Sequence, residues 1–204
     1  MMNSKNWYKS KYYGKSRDEI KDGWDNNRDE SARLGTNMHY DIECYYNGID
    51  NENNSLEYNY FMKFTKDYPD LVPYRTEWMI WDNELRFAGS IDMVYENPDG
   101  TLMIYDWKRS KGINKSSPFM KFSHTHCIEH IPDSNFWHYS LQLNTYKAII
   151  ERNYGKNVTS MMLVCLYPDN NSYQLIKVPD LSEEINELFK VRRYILSIKN
   201  NSGN

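Results

Sequence analysis

The sequence predicts an α/β fold: a mixed sheet with helices packed on it. Three observations carry this expectation. Apolar residues recur at helical intervals over residues 30–46 and again over 134–153. Between those stretches, residues 74–108 hold three segments rich in β-forming residues, parted by tight-turn signals. An apolar run at 158–167 then has the length and content of a buried strand.

Each element has its own justification. In the first helix, Leu34, Met38, Ile42 and Tyr45 repeat along one side, and Asn47-Gly48 stops it. Beyond an Asn-rich loop at 47–54, residues 60–68 predict a shorter second helix. Residues 74–81 are rich in Thr, Trp, Tyr and Ile, and Asp82-Asn83 turns the chain into a second strand at 85–95. The turn signal Asn97-Pro98-Asp99-Gly100 leads to a third strand at 101–108. There Leu102, Ile104, Asp106 and Lys108 share one face, and Met103, Tyr105 and Trp107 the other. Asp133 or Ser134 caps a helix to about residue 153, with Tyr139, Leu143, Tyr146 and Ile150 along one side, and Asn153-Tyr154-Gly155 ends it. Residues 158–167 form the buried strand and 173–178 an edge strand. Asp180-Leu181-Ser182-Glu183 reads as a capping box opening a last helix to about 199. The order is α, three β, α, β, then β and α, in a single domain over 1–200 with a frayed tail at 200–204.

Composition narrows the function. With 25 Lys+Arg against 28 Asp+Glu, the net charge is −3 and gives no global sign of a nucleic-acid partner. The mean hydropathy is −0.85 and the longest apolar run, Met161 to Tyr167, is seven residues, too short for a bilayer span. The polar start at 1–11 lacks the apolar stretch of a secretory signal, so an intracellular location is expected. Abundant Asn, Lys, Tyr and Ile point to an AT-rich genome, with a virus among the sources that would fit. The three cysteines, Cys44, Cys127 and Cys165, are too few and too scattered for a disulfide framework or a four-thiolate site. One region stands out by charge: between Trp107 and Ile128 lie Lys108, Arg109, Lys111, Lys115 and Lys121 without an acidic residue.

The chemistry centres on two aspartates. Asp92 and Asp106 flank the turn at 97–100, so pairing of the strands around it brings the two carboxylates to one edge of the sheet. Converging carboxylates repel unless a cation lies between them, and hard oxygen ligands favour Mg²⁺ or Mn²⁺. Lys108, two residues after Asp106, points to the same side. A divalent ion beside an ammonium suits phosphodiester hydrolysis. The structural alternative is a neutralised strand end.

Four segments then resemble, in order, the motifs of the PD-(D/E)XK nuclease superfamily, in its RecB-type, lambda-exonuclease-like branch. They are Gly35-Thr36-Asn37-Met38-His39-Tyr40-Asp41-Ile42-Glu43, Gly89-Ser90-Ile91-Asp92, Ile104-Tyr105-Asp106-Trp107-Lys108 and Leu141-Gln142-Leu143-Asn144-Thr145-Tyr146. The resemblance covers a core of about 34–167 and implies the order αβββαβ with flanking N- and C-terminal helices. It implies metal binding by Asp92, Asp106, the main-chain carbonyl of Trp107 and the imidazole of His39, with Lys108 catalytic. Gln142 and Tyr146 match a Gln-x-x-x-Tyr pair near the active site that contacts or orients nucleic acid; Tyr146 also suits core packing. Glu43, one turn after His39, is placed to orient the imidazole or approach the metal. Glu77 on the first strand is a candidate for metal binding, water binding or an ion pair.

Arg109, Lys111 and Lys115 follow Lys108 and suit phosphate contacts. The 18 Tyr and 6 Trp offer stacking platforms for an unpaired strand without singling any out. His124, His126, Cys127 and His130 are a competing zinc-type set, otherwise part of a loop. The four-cysteine set of iron–sulfur members is missing, so no cluster is expected. The expectation is therefore a Mg²⁺- or Mn²⁺-dependent exonuclease on single-stranded or end-containing DNA, in recombination, repair or replication. A catalytically idle nucleic-acid-binding module and an RNA endonuclease are the alternatives.

Overall fold

The computed structural model describes residues 6–117 and 119–201. Five strands form one sheet in the order β1(Val72–Asp82), β2(Phe87–Glu96), β3(Leu102–Lys108), β4(Val158–Cys165), β5(Gln174–Lys177). The first three are joined antiparallel by tight turns, β4 runs parallel to β3, and β5 returns antiparallel at the edge. Helix α3(Asn135–Tyr154) makes the crossover that a parallel β3–β4 pair requires. Its C-terminus closes on Gly155, whose φ of 63° a Cβ would disfavour.

Two hydrophobic layers sandwich the sheet. On one face Ile104, Leu163 and Val94 meet Leu143, Tyr146, Ile149 and Ile150 of α3. On the other, Met93, Tyr95, Tyr105 and Trp107 meet Met38 and Ile42 of α1(Arg17–Tyr46) and Phe61 and Phe64 of α2(Leu56–Asp67). The last helix, α4(Ser182–Asn201), packs beside α3. The frayed tail expected at 200–204 lies from 202 onward outside the described residues, as do the first five residues of the polar start.

Three expectations need correction. Helix α1 begins at Arg17, not 30, with Ser16 and Glu19 in a reciprocal capping box. Residues 17–33 are mostly exposed and lack an apolar stripe, so periodicity could not reveal them; Ser16-Arg17-Asp18-Glu19 was the available signal. Helix α2 begins at Leu56, not 60, because Ser55 caps it by accepting from the Tyr58 N–H. Asp180 accepts from the Ser182 N–H two residues on, a local turn rather than the three-residue reach of a capping box.

Candidate active site

Strand β3 delivers Asp106 and Lys108 to the face covered by α3. Two residues apart on a regular strand, they point the same way, and Lys108 Nζ lies 2.6 Å from Asp106 Oδ2. Asp106 is almost fully buried and Lys108 largely so. Beyond that ion pair the Oδ2 makes no hydrogen bond, so a buried oxygen keeps a lone pair free in the site. The Lys108 ammonium also stands 4.7 Å from the centre of the Tyr139 ring, on the first turns of α3.

Strands β1 and β2 lose regular alternation where their acids enter. Ile91 packs with the α3 layer and Met93 with the α1–α2 layer, although two residues of a regular strand would share a face. Across from this break, Glu77 has φ 42°, a left-handed conformation rare for a residue with a side chain. Alternation along β1 is broken there: Met79 is 73% exposed, while Glu77 turns toward α1. Such backbone strain persists only where the surroundings enforce it.

Helix α1 supplies the third wall. His39 Nδ1 is 3.5 Å from Asp92 Oδ2 and 3.8 Å from Glu77 Oε1. Among the described residues, His39, Glu77 and Asp92 alone bring three such ligand atoms within 4.8 Å of one another. Asp92 Oδ2 also accepts from the Trp107 N–H at 2.9 Å, tying β2 to β3 beyond their paired segment. Ser90 Oγ donates to the second oxygen of Glu77 at 2.9 Å. The Lys108 carbonyl accepts from Leu166 of the β4 side, so strand alternation turns the Trp107 carbonyl the opposite way, toward β2.

Burial and charge set the electrostatics. Burial first, then the neighbouring Asp106, pushes the Asp92 carboxyl up to about 7. Burial likewise raises Asp106, against the pull of Lys108. Burial pulls the Lys108 ammonium down, but Asp106 and Asp92 outweigh it and hold the pKa above the ordinary lysine value. The balance at His39 is similar: burial lowers it, while Glu77 and Asp92 prevail and raise it. Glu77 is lowered, mainly by the neighbouring His39 imidazole. The pocket thus concentrates buried negative charge that its own cations offset in part. Side-chain exposure of 29% at His39 and 34% at Glu77, against 3% at Asp106, puts the entrance on the α1–β1 side.

Gln142 and Tyr146 lie one turn apart on α3, and Gln142 Nε2 donates to the Tyr146 hydroxyl at 2.9 Å. Tyr146 is mostly buried and packs with the core, yet its phenol, raised chiefly by burial, also feels Asp106 and Asp92. A Cβ on Gly89 would lie 2.7 Å from Tyr146 Cε1. This close approach gives the glycine of the Gly89–Asp92 segment its physical reason.

Other expected site residues make no contact with the His39, Glu77, Asp92, Asp106 and Lys108 side chains among the described residues. Glu43 has no ion pair or side-chain hydrogen bond with His39 among the described residues; Glu77 takes the orienting position. Arg109 is turned into the fold, where its Nε donates to Glu57 Oε1 at 2.7 Å, both side chains about nine-tenths buried, and its guanidinium covers the Tyr167 ring. Lys111 and Lys115 are exposed on the loop that follows, with Lys115 over the Phe136 ring. In the zinc-type set, His126 faces Glu129 at 3.1 Å and His130 faces Glu184 at 3.2 Å, so the imidazoles do not converge. Tyr139, beside Lys108, was expected only as helix packing; its spacing of three and seven residues from Gln142 and Tyr146 was the signal that joins it to them.

No family model matches the sequence, and no curated protein matches it. Among solved structures, a protein from Eubacterium rectale provisionally named an exonuclease is similar over 78% of this chain and 73% of its own, at 13% identity and a TM-score of 0.36. A likeness of that size leaves the functional reading to the side chains themselves. No helix among the described residues is long and apolar enough to cross a membrane.

Proposed function

We propose that this protein is a divalent-metal-dependent nuclease of the PD-(D/E)XK type, acting on DNA with single-stranded regions or free ends. The observation that carries the reading is the convergence of His39, Glu77 and Asp92 beside the buried Asp106–Lys108 pair. Their donors are carboxylate oxygens and one imidazole, which suit Mg²⁺ or Mn²⁺, and Asp106 Oδ2, paired with Lys108 but otherwise without a hydrogen bond, adds a further oxygen beside them. Asp92, Asp106, His39 and the Trp107 carbonyl would hold the ion, with Glu77 as a ligand or as the acceptor that orients His39. Bound there, a divalent ion supplies positive charge to the phosphate and lowers the pKa of water in its shell.

The protein's own groups account for the rest. Lys108, its pKa raised by two carboxylates, enters as a cation and offsets charge that builds on the phosphate. Gln142 and the Tyr146 hydroxyl line the α3 side and orient the strand. Exonucleolytic action, with a role in recombination, repair or replication, is the finer part of the proposal.

End-labelled linear DNA, circular single-stranded DNA and RNA offered side by side, with Mg²⁺, Mn²⁺ or EDTA, test it. Linear DNA should be shortened only with metal, and Lys108→Ala and Asp92→Asn should each lower the rate at least about a hundredfold. Cleavage of the circle would replace exonuclease with endonuclease, and preference for RNA would change the substrate. A folded wild type that binds DNA without cutting it would reduce the protein to a binding module.

A further inference from the structure

The nuclease reading leaves unexplained the most exposed apolar side chains on the β3–α3 loop. Phe119 is 79% exposed, Met120 84% and Phe122 47%, although apolar groups of this size are normally buried or engaged. They belong to the acid-free segment, where Lys108 and Arg109 pair with Asp106 and Glu57. Lys111, Lys115 and Lys121 form no ion pair among the described residues. Three uncompensated ammonium groups thus share one loop with three exposed apolar side chains.

The apolar tip is built in rather than left loose. Phe122 and Pro132 form an isolated β-bridge, the Ser123 N–H donates to the Ile131 carbonyl, and the Asp133 N–H donates to the Lys121 carbonyl. At the tip Met120 has φ 51° and its N–H donates to the Ser117 carbonyl. Lys121 Nζ lies 5.8 Å from the Phe119 ring centre. The anchor at Asp133 is six residues before Tyr139, whose ring carries Lys108. Six residues span at most about 20 Å, so the anchor is within roughly six stacked nucleotides of the pocket at about 3.4 Å each.

We propose that Phe119, Met120 and Phe122 are a base-stacking tip that grips unpaired nucleotides, with Lys111, Lys115 and Lys121 on the flanking phosphates. This rests on the nuclease reading for the identity of the ligand, and it assigns the preference for unpaired strands to particular residues. A flat aromatic stacks on any exposed base and not on a paired one, whereas lysines alone would attract duplex equally well. Continuity with the end of β3 favours a nucleic-acid strand over a lipid surface, which the same mixture of lysine and phenylalanine would otherwise fit.

The test is a binding titration of the full chain in EDTA, so that cleavage does not intervene. The ligands are a single-stranded oligonucleotide carrying 2-aminopurine, its blunt duplex, and vesicles of phosphatidylserine and phosphatidylcholine. Wild type should prefer the single strand and change the 2-aminopurine fluorescence. Phe119→Ala with Phe122→Ala should weaken single-strand binding about ten- to a hundredfold and abolish the fluorescence change. Phe119→Trp with Phe122→Trp should keep both, and melting temperatures should stay together because the rings are exposed. Equal single-strand affinity in wild type and the alanine variant, equal affinity for duplex, or ring-dependent binding to vesicles alone would overturn the proposal. Ring-dependent strand binding without metal-dependent cleavage would instead uphold the tip and defeat the nuclease reading, whereas Lys108-dependent cleavage indifferent to the rings would do the reverse.

Discussion

Tyr146 leaves no room for a side chain at Gly89, and this contact gives the sharpest expectation for a single residue. Gly89→Ala forces a shift of a packed aromatic ring, a class of overpacking that costs about 1–3 kcal/mol. The melting temperature should fall by roughly 2–10 °C, and adding Tyr146→Leu should recover most of the loss. An unchanged melting temperature in Gly89→Ala would mean that the ring moves freely. At this scale the sequence located Asp92, Asp106 and Lys108 as candidates, because turns and strand alternation place near neighbours in the chain, whereas His39 entered only through the resemblance of its segment to a family motif. It could not choose between Glu43 and Glu77. That choice depends on a left-handed residue in β1 and on how α1 lies across the sheet, neither of which leaves a local pattern.

Helix α2 and the end of β3 are joined by the Glu57–Arg109 pair, and a role in positioning predicts a different phenotype from a role in binding phosphate. With both side chains about nine-tenths buried, Arg109→Gln strands a carboxylate, and Glu57→Gln strands a guanidinium. Each should cost about 3–5 kcal/mol, and the double variant should recover much of it, since removing both charges removes the imbalance. Chemical denaturation of the four proteins checks this. If Arg109→Gln folds as stably as wild type and changes only the salt dependence of DNA binding, the guanidinium is a phosphate ligand after all. Sequence spacing made Arg109 look like part of a basic loop, and only the arrival of α2 from 52 residues upstream shows its partner. The early start of α1 had a local signal in Ser16 and Glu19, which an argument from apolar periodicity passes over because that part of the helix buries so little.

Across the whole molecule, the buried acids tie stability to pH. The Asp92 carboxyl, about 7 in the folded state and near 3.8 when unfolded, binds its proton more tightly when folded. Its stabilising effect is therefore complete below the unfolded value and lost as pH rises toward 7. His39, raised by Glu77 and Asp92, acts in the same direction above its ordinary value of 6.5. Glu77, lowered, contributes stability above 4.5 that is lost only on acidification. Without metal, the melting temperature should decline between about pH 5 and pH 8. Mn²⁺ should raise it more at pH 8 than at pH 5, where ligand protonation competes with binding. Asp92→Asn should flatten both trends, and a wild type whose melting temperature ignores pH and Mn²⁺ would contradict the site as drawn. By itself the sequence determined the α/β class and the order of most elements and offered candidates for the chemistry, because periodicity, turns and motif spacing are properties of short stretches of chain. Only the tertiary structure decided the sheet order, the bend at Glu77 and Asp92, and the sealing of Arg109 against Glu57. Those depend on packing between segments far apart in the chain, whose burial and charge are set by one another.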